Sequence, residues 1–177
     1  MWQVLGRKLG KDYRVMLRLL SLAAFQHEGQ RHEQLRKTMA RAIAPFAGLN
    51  EIFAKRINKM LGQLDGSDGF DLADDFANHI LSQLFCDLME IPEADRGEVR
   101  PMSRMTRILE PTLSIKDRDE AIGAISMGVD YLTRHAHQQI ETGRPCLIGS
   151  IYRELPADEP DKFGATASIA AIMSIMG

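Results

Sequence analysis

The stretch ATASIAAIMSIMG, residues 165–177, carries no charged side chain and no polar face. Wound as a helix it is small or apolar on every side, so it reads as a buried helix rather than an amphipathic one. A helix of that kind has to be wrapped by other elements, and the rest of the chain supplies helices to do it. Tyr13, Met16, Leu17, Leu20 and Ala24 step by three and four. Leu35, Met39, Ile43 and Phe46 do the same, and Pro45 closes that run. Asn50 is the expected N-cap of a helix carrying Phe53, Ile57, Met60, Leu61 and Leu64. After the turn-forming DGSDG at 65–69, Asp71 is the expected cap of a helix with Phe76, Ile80, Leu84 and Leu88 on one face. Asp74 and Asp75 suit the positive end of that helix rather than acid–base chemistry. EIPEADR, residues 90–96, ends it and starts another near Pro92. A long helix is expected over about residues 117–142, through Ile122, Ile125, Val129, Leu132, Ala136 and Ile140, with Gly143 as its C′ residue. A short helix follows around residues 147–155, PADEPD turns the chain, and the last helix begins near Asp161. No segment alternates as a strand would, so the expected fold is mainly α, one domain over residues 1–177.

Charge is distributed unevenly. Residues 1–60 hold 12 Lys and Arg against 4 Asp and Glu, and residues 61–177 hold 10 against 20. The basic part could meet an anionic cofactor, an acidic protein or a nucleic acid. No aromatic platform, zinc-finger spacing or clear helix-turn-helix accompanies it, which argues against nucleic acid. No apolar run reaches the ~20 residues that span a bilayer. The basic opening before LLSLAAF makes a poor signal peptide, because Arg18 and Asp12 interrupt it, so a cytoplasmic location is expected. Cys86 and Cys146 have no metal-binding spacing and read as two buried, reduced thiols.

The most informative charged residues lie in EGQRHEQLRKTMARAIAPF, residues 28–46. His32 and Arg36 are four apart, so they share a helix face beside the apolar stripe of Leu35, Met39 and Ile43. Two cationic donors at a buried edge suit the gripping of carboxylates, Arg bidentately and His through a directed N–H. A solvated basic face is the other reading of the same spacing. His27 and His32 fall on different faces, which disfavours a shared metal. His135 and His137 diverge on their helix and are expected in solvent. Glu33–Arg36 and Glu141–Arg144 are read as local helix pairs or chance.

Several stretches, in order, resemble bacterial cytochromes P-450, the heme-thiolate monooxygenases. FDLADDFANHILSQLFCDLMEIPEADR, residues 70–96, is similar to that family's FDLVxDFAxPLPxxVICxLLGIPExDR. Residues 28–46 look like its C helix, DPPEHxRLRRLxxxAFxP. Residues 117–160 fit its G and H helices, and ATASIAAIMSIMG looks like the start of its I helix, which usually continues as AGxET or AGxDT. The resemblance implies a partial cytochrome P-450 fold, from the B′/C region to the start of helix I. It lacks the β-rich N-terminal part and the C-terminal heme-thiolate region.

By that resemblance, His32 and Arg36 hold a heme propionate, and Ala171 to Gly177 lie over the distal face of the heme, with Gly177 at the I-helix glycine. Cys86 falls on a packing cysteine of the family, and Cys146 follows GRP without the glycines of the ligand loop, so neither is expected to bind iron. The acid–threonine pair, the Glu-x-x-Arg helix and the axial cysteine would lie beyond residue 177. The implied activity is monooxygenation of a small hydrophobic substrate with O₂ and electrons from a ferredoxin- or flavodoxin-type donor. The chain itself is expected to be a truncated, inactive piece of such an enzyme. The alternatives are a non-enzymatic helical binding or interaction module and a pseudogene product without function. Nothing in RILEPTLSIKDRD identifies a substrate.

Overall fold

A computed structural model describes residues 12–46, 48–64, 69, 71, 76, 78–102 and 114–176. Its helices are α1 (Arg14–Leu22), α2 (Gly29–Ile43), α3 (Leu49–Leu64), α4 (Asn78–Leu88), the short α5 (Arg96–Val99), α6 (Ile115–Thr142), α7 (Leu147–Glu154) and α8 (Lys162–Met176). Single 3₁₀ turns over Ala24–Gln26 and Glu93–Asp95 link them. No strand occurs among the described residues. The mainly α expectation therefore holds.

The apolar last helix is the axis of the packing. Helix α8 is contacted by α1, α4, α6 and α7. From Ala165 to Ile172 every residue is buried. Its few polar groups are hydroxyls that turn back on the helix: Thr166 donates to the Lys162 carbonyl, Ser168 to Gly164 and Ser174 to Ala171, at 2.7–2.8 Å. Each buried hydroxyl is thus satisfied without a partner from another helix. Asp161 caps the helix, its Oδ1 accepting from the Gly164 amide at 3.1 Å. Its Oδ2 pairs with Arg18 of α1 at 2.6 Å, which ties α1 to the start of α8.

Helix ends follow local chemistry. Ser114 accepts from the Asp117 amide at 3.1 Å, so α6 begins at Ile115, two residues before the expected start. Gly143, at φ 67°, ends α6 in the left-handed conformation expected of it. Helix α4 ends at Leu88; Glu90 in the following turn takes φ 56°, and the Ile91 amide returns to the Cys86 carbonyl at 2.8 Å. Helix α3 begins at Leu49, so Asn50 lies inside its first turn and is not the cap. Asp74 and Asp75, expected beside the positive end of the helix whose expected cap is Asp71, lie outside the described residues.

Two sequence expectations need correction. Helix α1 buries Met16, Leu19 and Leu22, whereas Leu17 and Leu20 are only partly buried, so its inward face is rotated from the expected stripe. His135 is not in solvent: it is 4% exposed, stacks on Tyr131 and bonds through Nε2 to the Met89 carbonyl at 2.9 Å. That bond satisfies a carbonyl in the turn that follows α4, which gives the imidazole a reason to be inside. His137 is exposed and stacks on Phe163. Elsewhere, Asp87 of α4 receives Arg56 from α3 and Arg96 from α5, and Arg96 also reaches Gln83. This half-buried ionic cluster joins three helices through one carboxylate.

Candidate functional site

Helix α2 presents the charged pair. Leu35 and Ala42 are its buried residues, and Met39 and Ile43 pack partly against the core. That anchor turns the His32–Arg36 edge toward the boundary between core and solvent. His32 is half-buried, with Nδ1 2.8 Å from the Ala24 carbonyl. Only a protonated nitrogen can donate to a carbonyl, so Nδ1 carries a proton and Nε2 faces away from that bond. Nε2 can then donate to a carboxylate only when the ring is an imidazolium.

Arg36 is exposed one turn later. The nearby Glu33 is engaged by Lys37 at 3.3 Å rather than by Arg36, so of the two readings of the Glu33–Arg36 spacing the local pair is not the one observed. The result is a fixed imidazole beside an exposed guanidinium, both cationic donors when the ring is protonated, on one face of one helix. This donor set fits an anionic, carboxylate-bearing edge such as that of a heme.

The thiols do not fit iron. Cys86 and Cys146 are both free and buried. Burial pushes the Cys86 thiol up to about 11, and burial also raises Cys146. The Cys146 sulfur caps α7, accepting from the Gly149 amide at 3.4 Å. Both are neutral packing thiols rather than exposed thiolates. Among the described residues no group of three or more His, Cys, Asp or Glu could hold a metal ion.

Helix α8 offers less surface than the sequence suggests. Ala171 and Ile172 are enclosed by neighbouring helices, so they are not open to a ligand, and Met173 and Ser174 are only partly buried. Gly177 lies outside the described residues.

Two cavities accompany this site. An open cleft of about 860 Å³ runs between α1, α6 and the start of α8, past Arg18, Arg31, Asp130 and Glu159. A small cavity of about 20 Å³ lies among α4, α5, α6 and α8 and includes Cys86. Neither includes His32 or Arg36. Sequence reasoning missed the small cavity and the Asp87 cluster, because both join residues far apart in the chain.

The chain has the fold of the helical part of the cytochrome P-450 monooxygenases. One similar structure is P450BioI in complex with a hexadec-9Z-enoic acid-ligated acyl carrier protein: TM-score 0.74, 16% identity, over 93% of this chain. Another is a structure of unusual cytochrome P-450-like monooxygenases involved in microbial secondary metabolism: TM-score 0.72, 20% identity, over 90% of this chain. The match spans 43% of each of those chains. No protein-family model and no curated protein matches the sequence. No described helix is long and apolar enough to cross a membrane.

Proposed function

We propose that these residues form one domain-sized part of a cytochrome P-450-type heme-thiolate monooxygenase. The carrying observation is the fixed His32 imidazole and the exposed Arg36 guanidinium on one edge of α2. In this reading His32 Nε2, as imidazolium, and Arg36 bind a heme propionate. The end of α8, with Gly177, borders the distal side. The heme, when bound with its thiolate, supplies the activation of dioxygen.

The protein residues here orient the cofactor by its carboxylates and exclude water along α8. The iron ligand comes from residues other than Cys86 and Cys146, so the 177-residue chain alone does not oxidise substrate. Its substrate in the complete enzyme is a small hydrophobic molecule, and its electron donor is of ferredoxin or flavodoxin type. A fatty acyl chain fits that substrate class, and the likeness to a structure with an acyl-loaded carrier protein supports it. A cytoplasmic location is part of the same reading.

Hemin titration of the purified chain tests the binding half. The double variant His32→Ala, Arg36→Ala should weaken hemin by about tenfold or more, since a hydrogen bond to a charged group is worth about 1.5–3 kcal/mol. Arg31→Ala, on the same helix, should leave affinity unchanged. Heme dimethyl ester, which lacks the carboxylates, should bind the unaltered chain as poorly as hemin binds the double variant. Equal hemin affinity in all three proteins would overturn the propionate assignment. Substrate oxidation by the chain with a reduced ferredoxin would overturn its inactivity.

A further inference from the structure

The small cavity has an unusual wall. Phe85, Cys86, Met89, Val99, Met102 and Leu132 are all buried, and three of them present sulfur. Only Ser82 and Ser174 are polar, and they are the lining residues that reach solvent, so the opening lies on their side. Three backbone carbonyls nearby each already accept a hydrogen bond. The Phe85 carbonyl accepts from the Met89 amide at 2.9 Å, and the Cys86 carbonyl from Ile91 at 2.8 Å. The Met89 carbonyl accepts from His135 at 2.9 Å, and the Ser174 hydroxyl donates to Ala171 at 2.7 Å.

A buried water wants about three hydrogen bonds; the two hydroxyls lie at the opening, and the interior wall of Phe85, Met89, Val99, Met102 and Leu132 offers no polar side chain, so the interior favours an apolar guest. The volume of about 20 Å³ exceeds the ~10–15 Å³ that admits one water-sized molecule. Methionine side chains are flexible and polarisable, so Met89 and Met102 can adjust around a guest. Gly128 permits this arrangement. A Cβ at that position would collide with the sulfur of Met102, which lies against α6 only because the side chain is absent.

We infer that the cavity among α4, α5, α6 and α8 is a dry site for one small apolar molecule, and that its physiological occupant is dioxygen. The choice of dioxygen rests on the monooxygenase reading, whereas the preference for an apolar guest rests on the wall alone. The site stores the gas against α8, behind the opening at Ser82 and Ser174.

The experiment uses the whole chain with ¹³C-labelled methionine methyls, under oxygen pressure and then under xenon. Oxygen should enhance the relaxation of the Met89 and Met102 methyls several-fold more than that of Met16, which is equally buried but outside the cavity. Xenon should shift the same two methyls. Val99→Ile adds one methylene to the wall and should reduce both effects to the Met16 level. Gly128→Ala, by driving Met102 into the space, should do the same. Equal oxygen enhancement at all three methyls would sink the proposal. So would a persistent water contact to the Met89 or Met102 methyl under nitrogen. No heme is needed here, so a negative result leaves the hemin titration untouched. A failed hemin titration would remove dioxygen as the occupant and leave the apolar site standing.

Discussion

Helices α2 and α8 are both 15 residues long and share almost nothing else. In α8 every residue from Ala165 to Ile172 is buried, and each hydroxyl there returns to its own backbone. In α2 only Leu35 and Ala42 are buried, and the rest of the surface carries Arg31, His32, Glu33, Arg36, Lys37 and Arg41. The difference separates what packing dictates from what chemistry can use. A charge in α8 would have to be desolvated without a partner, which costs far more than any local gain. A charge on α2 keeps its water until a ligand replaces it, so the helix can carry cations at little expense to the fold.

The sharpest way to break this contrast is to truncate one residue in each helix. Ile169→Ala in α8 removes a fully buried side chain and should cost about 2–5 kcal/mol, the range for large-to-small changes in cores. Arg36→Ala in α2 should stay within about 0.5 kcal/mol, as surface changes do. Urea unfolding of both variants reads the difference directly. A loss at Arg36 comparable to that at Ile169 would mean that α2 is part of the structural core and that its cations are not free for a ligand.

The second largest effect lies next to α8, at Cys86. Its folded thiol is raised from an ordinary 9.0 to about 11 by burial, with Asp87 adding to the rise and Arg96 and Arg56 opposing it. The folded state therefore holds its proton more tightly than the unfolded chain. The resulting stability is fully present below pH 9.0 and is lost as pH climbs toward about 11. The linked loss is about 2–3 kcal/mol, at 1.36 kcal/mol per pKa unit. Tyr13, raised by burial and by its bond to Asp119, pulls in the same direction. Urea midpoints measured across this interval should fall for the unaltered chain and fall less steeply for Cys86→Ala. Identical slopes would remove the thiol from the account.

These two helices also mark how far the sequence could be read. The all-round apolar character of α8 needs no structure to be recognised, because no neighbour has to be known. The His32–Arg36 edge is equally legible, since both residues and the stripe beside them lie within one helix. Gly143 belongs to the same group, as a local turn requirement. The failures involve partners from elsewhere. Nothing within α6 says that His135 rather than His137 points inward; the Met89 carbonyl at the end of α4 decides it. The Asp87 cluster is invisible for the same reason, because Arg56 joins it from α3. Leu19 displaced Leu20 from the inner face of α1 because a three- or four-residue step from Met16 allows either. Only the position of the neighbouring helices selects between them.

The smallest expected effect concerns the neighbour that leaves Arg36 available. Glu33 and Lys37 pair across one turn at 3.3 Å, with both side chains 66% exposed. Such an i,i+4 pair, with the acid on the N-terminal side, contributes only about 0.3–0.5 kcal/mol and fades with salt. Its consequence for binding is more informative than its stability. Glu33 is also three residues from Arg36, on a side of the helix that both can reach. Lys37→Ala releases the carboxylate, which then competes with any anion for the guanidinium. Hemin affinity should therefore drop slightly in Lys37→Ala and recover in the double variant Lys37→Ala, Glu33→Gln, with both effects shrinking as salt is added. An unchanged affinity in Lys37→Ala would mean that Glu33 does not reach Arg36 even when freed, and that the exposed guanidinium owes nothing to its neighbour.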